Sequence, residues 1–204
     1  MFTTEFLLTS LVVVLIPGTG VLYTVSTGIA RDWRASIAAS IGCTFGILPH
    51  LAASALGLSA VMNMGAEVFT IVKYAGSAYL LYLAWQMWKD TGTLAAADAP
   101  VDVSMTKVAL KGVALNVLNP KLTAFFFAFM PQFITPGAGS AASQLLSLSA
   151  VFMLMTFVVF CVYGLAANGA SRLFKTAPRA VGWMRRSFAI VFAGLAVELA
   201  LSDR

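Results

Sequence analysis

The chain has 204 residues, of which 60% are hydrophobic and 10% are charged, and its formal net charge is +5. A soluble domain carries charged residues at about a quarter of its positions, so this composition excludes that class and indicates a membrane protein. The basic residues lie between apolar runs and form no stripe along a polar face, which argues against a nucleic-acid-binding protein.

Six apolar runs follow one another along the chain. Each is long enough to cross about 30 Å of hydrocarbon at a rise of about 1.5 Å per residue. None alternates with the period of two that strands of a membrane barrel show, so we expect an all-α membrane protein with six transmembrane helices. The first run should stay in the mature protein, because its leader carries no positive charge. The runs are residues 6–30, 37–62, 68–88, 108–133, 145–169 and 181–201.

The polar segment 89–106 predicts a cytoplasmic linker between two halves of the chain. Residues 1–88 form a first three-helix repeat and residues 107–204 a second. Since three is an odd number, the repeats must have opposite orientations in the membrane, which is the arrangement of an inverted-repeat transporter. Most of the 13 basic residues fall in the loops on one side, so the positive-inside rule predicts a multi-pass protein with both termini external.

The first and fourth runs are each interrupted about 11 residues, or about 16 Å, from their start, which places both interruptions near the bilayer midplane. Proline and glycine disturb the helical backbone, and the freed polar groups are tolerated only where they are buried or line a wet cavity. A matched pair of breaks predicts a substrate site, although single breaks often mark simple kinks. The candidate binding residues are Pro17, Gly18, Thr19 and Gly20 in the first run and Asn119, Pro120 and Lys121 in the fourth.

Lys121 is the costly member of this set, because a lysine near the bilayer centre costs about 2.5–3.5 kcal/mol and needs a partner or a cavity. No acidic residue lies at a matching depth in the six runs. The ammonium group would suit a substrate that bears a carboxylate. Alternatively, it bonds to carbonyls freed by the first break, and the sequence leaves both interpretations open.

His50 is the single histidine, and it lies on one ridge of the second helix with Gly42, Gly46 and Ser54. Small residues at this spacing let helices approach closely, so the ridge is expected to face the bundle. One interpretation is a proton-coupling group, since histidine changes its protonation state near neutral pH. The other is a structural imidazole bonded to the carbonyl that Pro49 frees.

The third run contributes two further candidates for a polar pathway, Lys73 and Tyr79. Lys73 lies near the external end of its helix, where snorkelling to the interface is an equally simple explanation. Tyr79 shares a helical face with Tyr82 and Gln86, which could line a pathway or hold the helix to its neighbours.

Several classes of chemistry lack their residues in this chain. There is no phosphate-binding loop for ATP, no cofactor motif, no set of His, Cys, Asp and Glu with metal-ligand spacing, and no nucleophile with a base, so no enzyme is expected. Two alternatives to a solute transporter remain. One is a transmembrane thiol–disulfide relay that uses Cys43 and Cys161, and the other is a metal-ion exporter on the same scaffold.

Several motifs together resemble the LysE/RhtB family of bacterial amino-acid exporters over essentially the whole chain. Members typically read Pro-Gly-Pro at the first break, where this chain has Thr19 in the third position. The matching segments are Ile16-Pro17-Gly18, the run with Gly42, Gly46, His50, Gly57 and Leu58, the segment 73–83 (KYAGSAYLLYL), the run with Gly112, Leu115, Asn116, Asn119, Pro120 and Lys121, and Phe125-Phe126-Phe127.

The resemblance implies a secondary exporter in the bacterial inner membrane that moves amino acids out of the cytoplasm, driven by the proton-motive force. It adds Asn116 to the candidate substrate-binding residues. It also places the chain with the branch that handles small neutral amino acids of the homoserine and threonine type. The lipid bilayer and the amino acid are then its partners, and the sequence leaves open whether the chain forms a homo-oligomer.

Overall fold

The computed structural model of the protein describes residues 2–62, 66–89 and 104–169, with seven further helical positions between 190 and 201. All regular structure within these ranges is helical, which confirms the all-α class. Most of the predicted linker 89–106 and of the sixth run, 181–201, lies outside the described residues. The six-helix, three-plus-three arrangement therefore stays a prediction.

Eight α-helices occupy the main described ranges. After α7 the chain passes through a π-helical turn, Phe125–Phe129, and a 3-10 turn, Met130–Phe133. The helices are α1 (Thr4–Leu15), α2 (Thr19–Ala30), α3 (Trp33–Phe45), α4 (Leu48–Met62), α5 (Ala66–Lys89), α6 (Met105–Val117), α7 (Pro120–Ala124) and α8 (Ala141–Gly169).

Side-chain caps explain where several helices begin. Thr3 accepts a hydrogen bond from the Phe6 amide at the start of α1, and Asp32 accepts one from the Ala35 amide at the start of α3. Ser104 caps α6 in the same way. Each cap satisfies an amide that has no partner within its own helix.

Both predicted interruptions are present as sharp bends between helices. α1 and α2 meet at 53° across residues 16–18, and α6 meets the segment Pro120–Phe133 at 51°. In the described part of the chain, two helical stretches are long and apolar enough to cross a membrane. One is Trp33–Gly57, which comprises α3 and most of α4, and the other is α8. The number rises to four if each bent pair is one span.

α3 and α6 form the most extensive packing in the described structure. A Cβ on Gly42 would overlap the Ala109 carbonyl, and Gly46, one turn later, lies against Val113. The two helices therefore run parallel. Small residues bring their backbones together, as is common between membrane helices.

α2 and α8 form a second parallel pair. Gly20 lies against Phe160, and a Cβ on Gly28 would overlap the carbonyl of Gly164. Asn168 Nδ2 donates to the Gly28 carbonyl at 3.0 Å and extends the same seam. α3 also packs on α8, so the four helices form one closely packed body.

Large aromatic side chains fill the region beyond the breaks. The rings of Phe125 and Phe152 stack with centroids 4.4 Å apart, and the ring of Phe126 meets that of Phe152 edge-on at 5.7 Å. All three are almost completely buried. On one side of the breaks, helices α2, α3, α6 and α8 pack closely at glycine residues. On the other side, the rings of Phe125, Phe126 and Phe152 fill the core.

Candidate functional site

The first break presents both ends of a helix to the same small volume. α1 ends at Leu15, and the carbonyls of its last turn have no partner within the helix. α2 begins at Thr19 after Gly18, which has no side chain to cap the first amides. The negative end of one helix dipole therefore lies beside the positive end of the next.

Lys121 reaches the first break from the second. Its Nζ donates to the carbonyls of Ile16 at 2.8 Å and of Val13 at 3.0 Å, and the side chain is only 7% exposed. Of the two interpretations of Lys121, this structure has the one in which it bonds to freed carbonyls. A cation at a helix C-terminus is also favoured by the helix dipole.

The second break is organised by two asparagines. Asn119 Oδ1 accepts from the Lys121 amide at 3.1 Å and caps α7, in which Pro120 occupies the first position. Asn119 Nδ2 donates to Asn116 Oδ1 at 3.2 Å, and Asn116 Nδ2 donates to the Cys43 carbonyl at 2.7 Å. The pair connects the end of α6 to the start of α7 and to α3.

The two breaks are in direct contact. A Cβ on Gly18 would lie 3.2 Å from Asn119 Nδ2 and 3.4 Å from Lys121 Nζ, so only a residue without a side chain fits without displacement. Thr19, which is exposed, donates from its hydroxyl to the Leu115 carbonyl at 3.2 Å. Gly20 touches Asn116, and Pro17 is buried beside them. The structure thus brings the candidate residues of both breaks together.

His50 joins this group from α4. Its Nε2 lies 3.0 Å from the Asn116 carbonyl, which only accepts, so Nε2 carries a hydrogen. The interpretation in which its partner is a carbonyl freed by Pro49 is wrong, because the acceptor, the Asn116 carbonyl, belongs to the second break. Pro49 itself lies in the first turn of α4. The other nitrogen, Nδ1, lies 3.3 Å from the Thr123 hydroxyl.

The structure does not test Lys73 and Tyr79. Both belong to α5, Ala66–Lys89, but their side chains lie outside the described part of the chain. Their assignment to a polar pathway stays a prediction.

Sequence reasoning missed two side chains of the site. Tyr163 on α8 donates from its hydroxyl to the Leu15 carbonyl at 3.0 Å, so it satisfies a third carbonyl at the end of α1. Thr123 is the second partner of His50, at Nδ1. Each is a polar side chain inside an apolar run, and Thr123 follows Pro120 by one turn, which is the signal that could have identified it.

The residues of the two alternative functions are placed as follows. Cys43 is buried with its Sγ 3.8 Å from the Gly20 carbonyl, and both Cys43 and Cys161 are free thiols. Within the described ranges, no group of three or more His, Cys, Asp or Glu side chains could hold a metal ion.

Comparisons with known proteins give a consistent result. The family model described as LysE type translocator matches residues 11–203. The chain is 31% identical over 96% of its length to an uncharacterized membrane protein of Vibrio cholerae, with 94% of that protein covered. It is 29% identical over 92% of its length to the homoserine/homoserine lactone efflux protein of Salmonella typhimurium, with 90% of the relative covered. A leucine efflux protein of an Enterobacter species is 25% identical, with 92% of this chain and 90% of the relative covered. No solved structure gives a significant match.

Proposed function

The chain belongs to the LysE type translocator family, and from that premise we propose that it exports small neutral amino acids from the cytoplasm as a secondary transporter. Relatives named as efflux proteins for homoserine, leucine and threonine support this substrate class. The acidic side chains that the structure describes, those of Glu5 and Asp32, lie in the first turn of α1 and at the N-cap of α3. Among the described side chains, a cationic group on the substrate would therefore find no carboxylate at the breaks.

The contact between the two breaks is the observation that carries the proposal. The uncapped start of α2 offers amide hydrogens, and Lys121 Nζ and Asn119 Nδ2 lie within 3.4 Å of the Cβ position of Gly18 beside it. A helix N-terminus with a neighbouring ammonium group favours a carboxylate. Broken helices that meet in this way bind substrate in many secondary transporters.

The packing of the two halves supports alternating access. In the predicted topology, α2 and α8 belong to helices one and five, and α6 and α3 to helices four and two. At the level of whole spans, exchanging the halves converts the pair of helices one and five into the pair of helices four and two. Both pairs are parallel and packed through glycine, with the contact after the break in helix one and before the break in helix four. This is the relation expected of an inverted repeat, in which the halves rock about a central site.

His50 is the proposed proton-coupling group of this exporter, with the proton-motive force as the energy source. When neutral, the ring donates from Nε2 to the Asn116 carbonyl and accepts from the Thr123 hydroxyl at Nδ1. When protonated, it donates from both nitrogens, and the hydroxyl can turn to accept. The imidazole ring therefore keeps a hydrogen bond at each nitrogen whether it is neutral or protonated.

Everted membrane vesicles test the proposal, because export then becomes uptake of labelled threonine, leucine or homoserine. We expect respiration to drive accumulation and an uncoupler to abolish it. Asn119→Ala and Lys121→Ala should each slow uptake at least about tenfold, since each removes a donor that we propose binds the charged carboxylate of the substrate. Lys107→Ala, at an exposed position in the first turn of α6, is the matched control and should transport normally.

Full uptake by both site variants, at equal amounts of inserted protein, would remove the proposed site. Absence of uptake of all three amino acids by the wild-type protein would remove the substrate class itself.

A further inference from the structure

The end of α1 holds an amino group in a buried cradle of main-chain oxygens. Lys121 Nζ donates to the carbonyls of Val13 and Ile16, and the Tyr163 hydroxyl donates to the carbonyl of Leu15. The donors come from α7 and α8, while the acceptors are Val13 and Leu15 in the last turn of α1 and Ile16, the residue that follows it. This arrangement suits a primary amine or ammonium group, two of whose hydrogens can point at two oxygens.

A zwitterionic substrate poses a problem that the carboxylate site does not solve. Its α-ammonium also leaves water, and burying such a group without acceptors is strongly unfavourable. No described carboxylate lies near the breaks, so main-chain carbonyls are the acceptors at hand. The two that already hold an ammonium group are those of Val13 and Ile16.

We propose, on the basis of the function proposed above, that the Val13 and Ile16 carbonyls bind the α-ammonium of the substrate. Lys121 is a tethered occupant of the same position. When the substrate binds, Lys121 Nζ moves to the substrate's carboxylate beside Gly18. The substrate's ammonium group then replaces Nζ on the Val13 and Ile16 carbonyls. Nζ is 3.4 Å from the Cβ position of Gly18, so the exchange keeps Nζ at the first break, and the substrate enters as the Lys121 side chain is displaced.

The exchange explains why a lysine is tolerated at this depth. The carbonyls at the end of α1 hold a donor both with and without substrate, so the membrane interior never contains bare acceptors. It also gives free α-amino acids an advantage over ligands that carry only one of the two charged groups. A ligand with only a carboxylate leaves the carbonyls empty, and a ligand with only an ammonium group must displace Lys121 without giving it a partner.

Ligand binding to Lys121→Met in lipid nanodiscs tests the exchange, with leucine, leucinamide and N-acetyl-leucine as probes. Leucinamide has the ammonium group alone, and N-acetyl-leucine has the carboxylate alone. We expect the variant to bind leucinamide about tenfold more tightly than the wild-type protein, because its competitor is gone. It should bind N-acetyl-leucine about tenfold more weakly, because the carboxylate loses its partner.

Lys107→Met removes the same charge at an exposed position and should leave all three affinities unchanged. If Lys121 binds only the carboxylate, leucinamide affinity will not rise in Lys121→Met. If Lys121 only caps α1, the affinities for both half-ligands will change together. Either result overturns the exchange.

A second measurement uses only the wild-type protein and does not depend on the folding of a variant. Acetate and ethylammonium are the two charged halves of a zwitterion. If acetate draws Lys121 off the carbonyls, saturating acetate should raise ethylammonium affinity several-fold, as linkage requires. Independent binding of the two ions would contradict the exchange. Wild-type protein that binds leucine without this coupling leaves the proposed function intact, whereas protein that binds no amino acid removes both proposals.

Discussion

Asn116 is the residue at which α3, α4 and the second break meet. Its amide group donates to the Cys43 carbonyl and accepts from Asn119, while its main-chain carbonyl accepts from His50. The side chain is 1% exposed. In hydrocarbon each of these groups would cost several kcal/mol without a partner, so the network makes the breaks possible as well as positioning them.

His50→Gln separates a coupling role from a structural one. The glutamine amide can keep a donor near the Asn116 carbonyl, but it cannot take up a proton. We therefore expect the variant to fold and to equilibrate amino acid across everted vesicles while losing accumulation against a gradient. The measurement is the steady-state ratio of labelled threonine inside and outside. Normal accumulation by His50→Gln would show that His50 is structural.

The helices meet at seams where glycine is required by the close approach of another backbone. Gly28 faces the Gly164 carbonyl and Gly42 faces the Ala109 carbonyl, both too closely for a Cβ. Gly57 on α4 is different, because a Cβ there would lie 3.7 Å from Phe127, an ordinary contact distance. The seams thus fix the relative position of α2, α3, α6 and α8.

Alanine at the seam glycines should therefore destabilise the protein, whereas alanine at Gly57 should not. Overpacking of this kind costs about 1–3 kcal/mol, so we expect a lower midpoint of thermal unfolding in detergent for Gly28→Ala and Gly42→Ala. Gly57→Ala is the matched control. Equal midpoints for all three variants would mean that the seams do not support the fold.

At the scale of the whole molecule, the two halves hold each other through side chains that cross between them. Lys121 of the second half satisfies α1 of the first, and His50 of the first half satisfies α6 of the second. Ser54 adds a bond of 2.9 Å to the Phe126 carbonyl in the π-helical turn. Each half therefore completes the broken backbone of the other, so neither is expected to keep its breaks alone.

Labelling of single cysteines tests the predicted orientation of the assembled molecule. In a Cys43→Ser, Cys161→Ser background, a membrane-impermeant maleimide should label Ala138→Cys in intact cells. It should label Met105→Cys only in everted vesicles. Both positions are exposed and lie on opposite sides of the predicted fourth helix. The reverse pattern would contradict external termini, and loss of transport in the background itself would favour the thiol–disulfide relay.

The sequence by itself determined the class of the protein and the places where its helices break. Apolar runs predict helices, and Pro17, Gly18 and Pro120 interrupt them through their own backbone chemistry, which needs no information from elsewhere in the chain. The cost of a buried lysine likewise identified Lys121 as a residue in need of a partner.

Only the tertiary structure decided which partners these residues have. The acceptors of Lys121 are 105 and 108 positions away, and His50 bonds to a carbonyl 66 positions away instead of one beside Pro49. Such pairings depend on how helices cross, and the crossings are set by the glycine seams between α2 and α8 and between α3 and α6. A local pattern can show that a polar group needs a partner, but the long-range packing selects the partner.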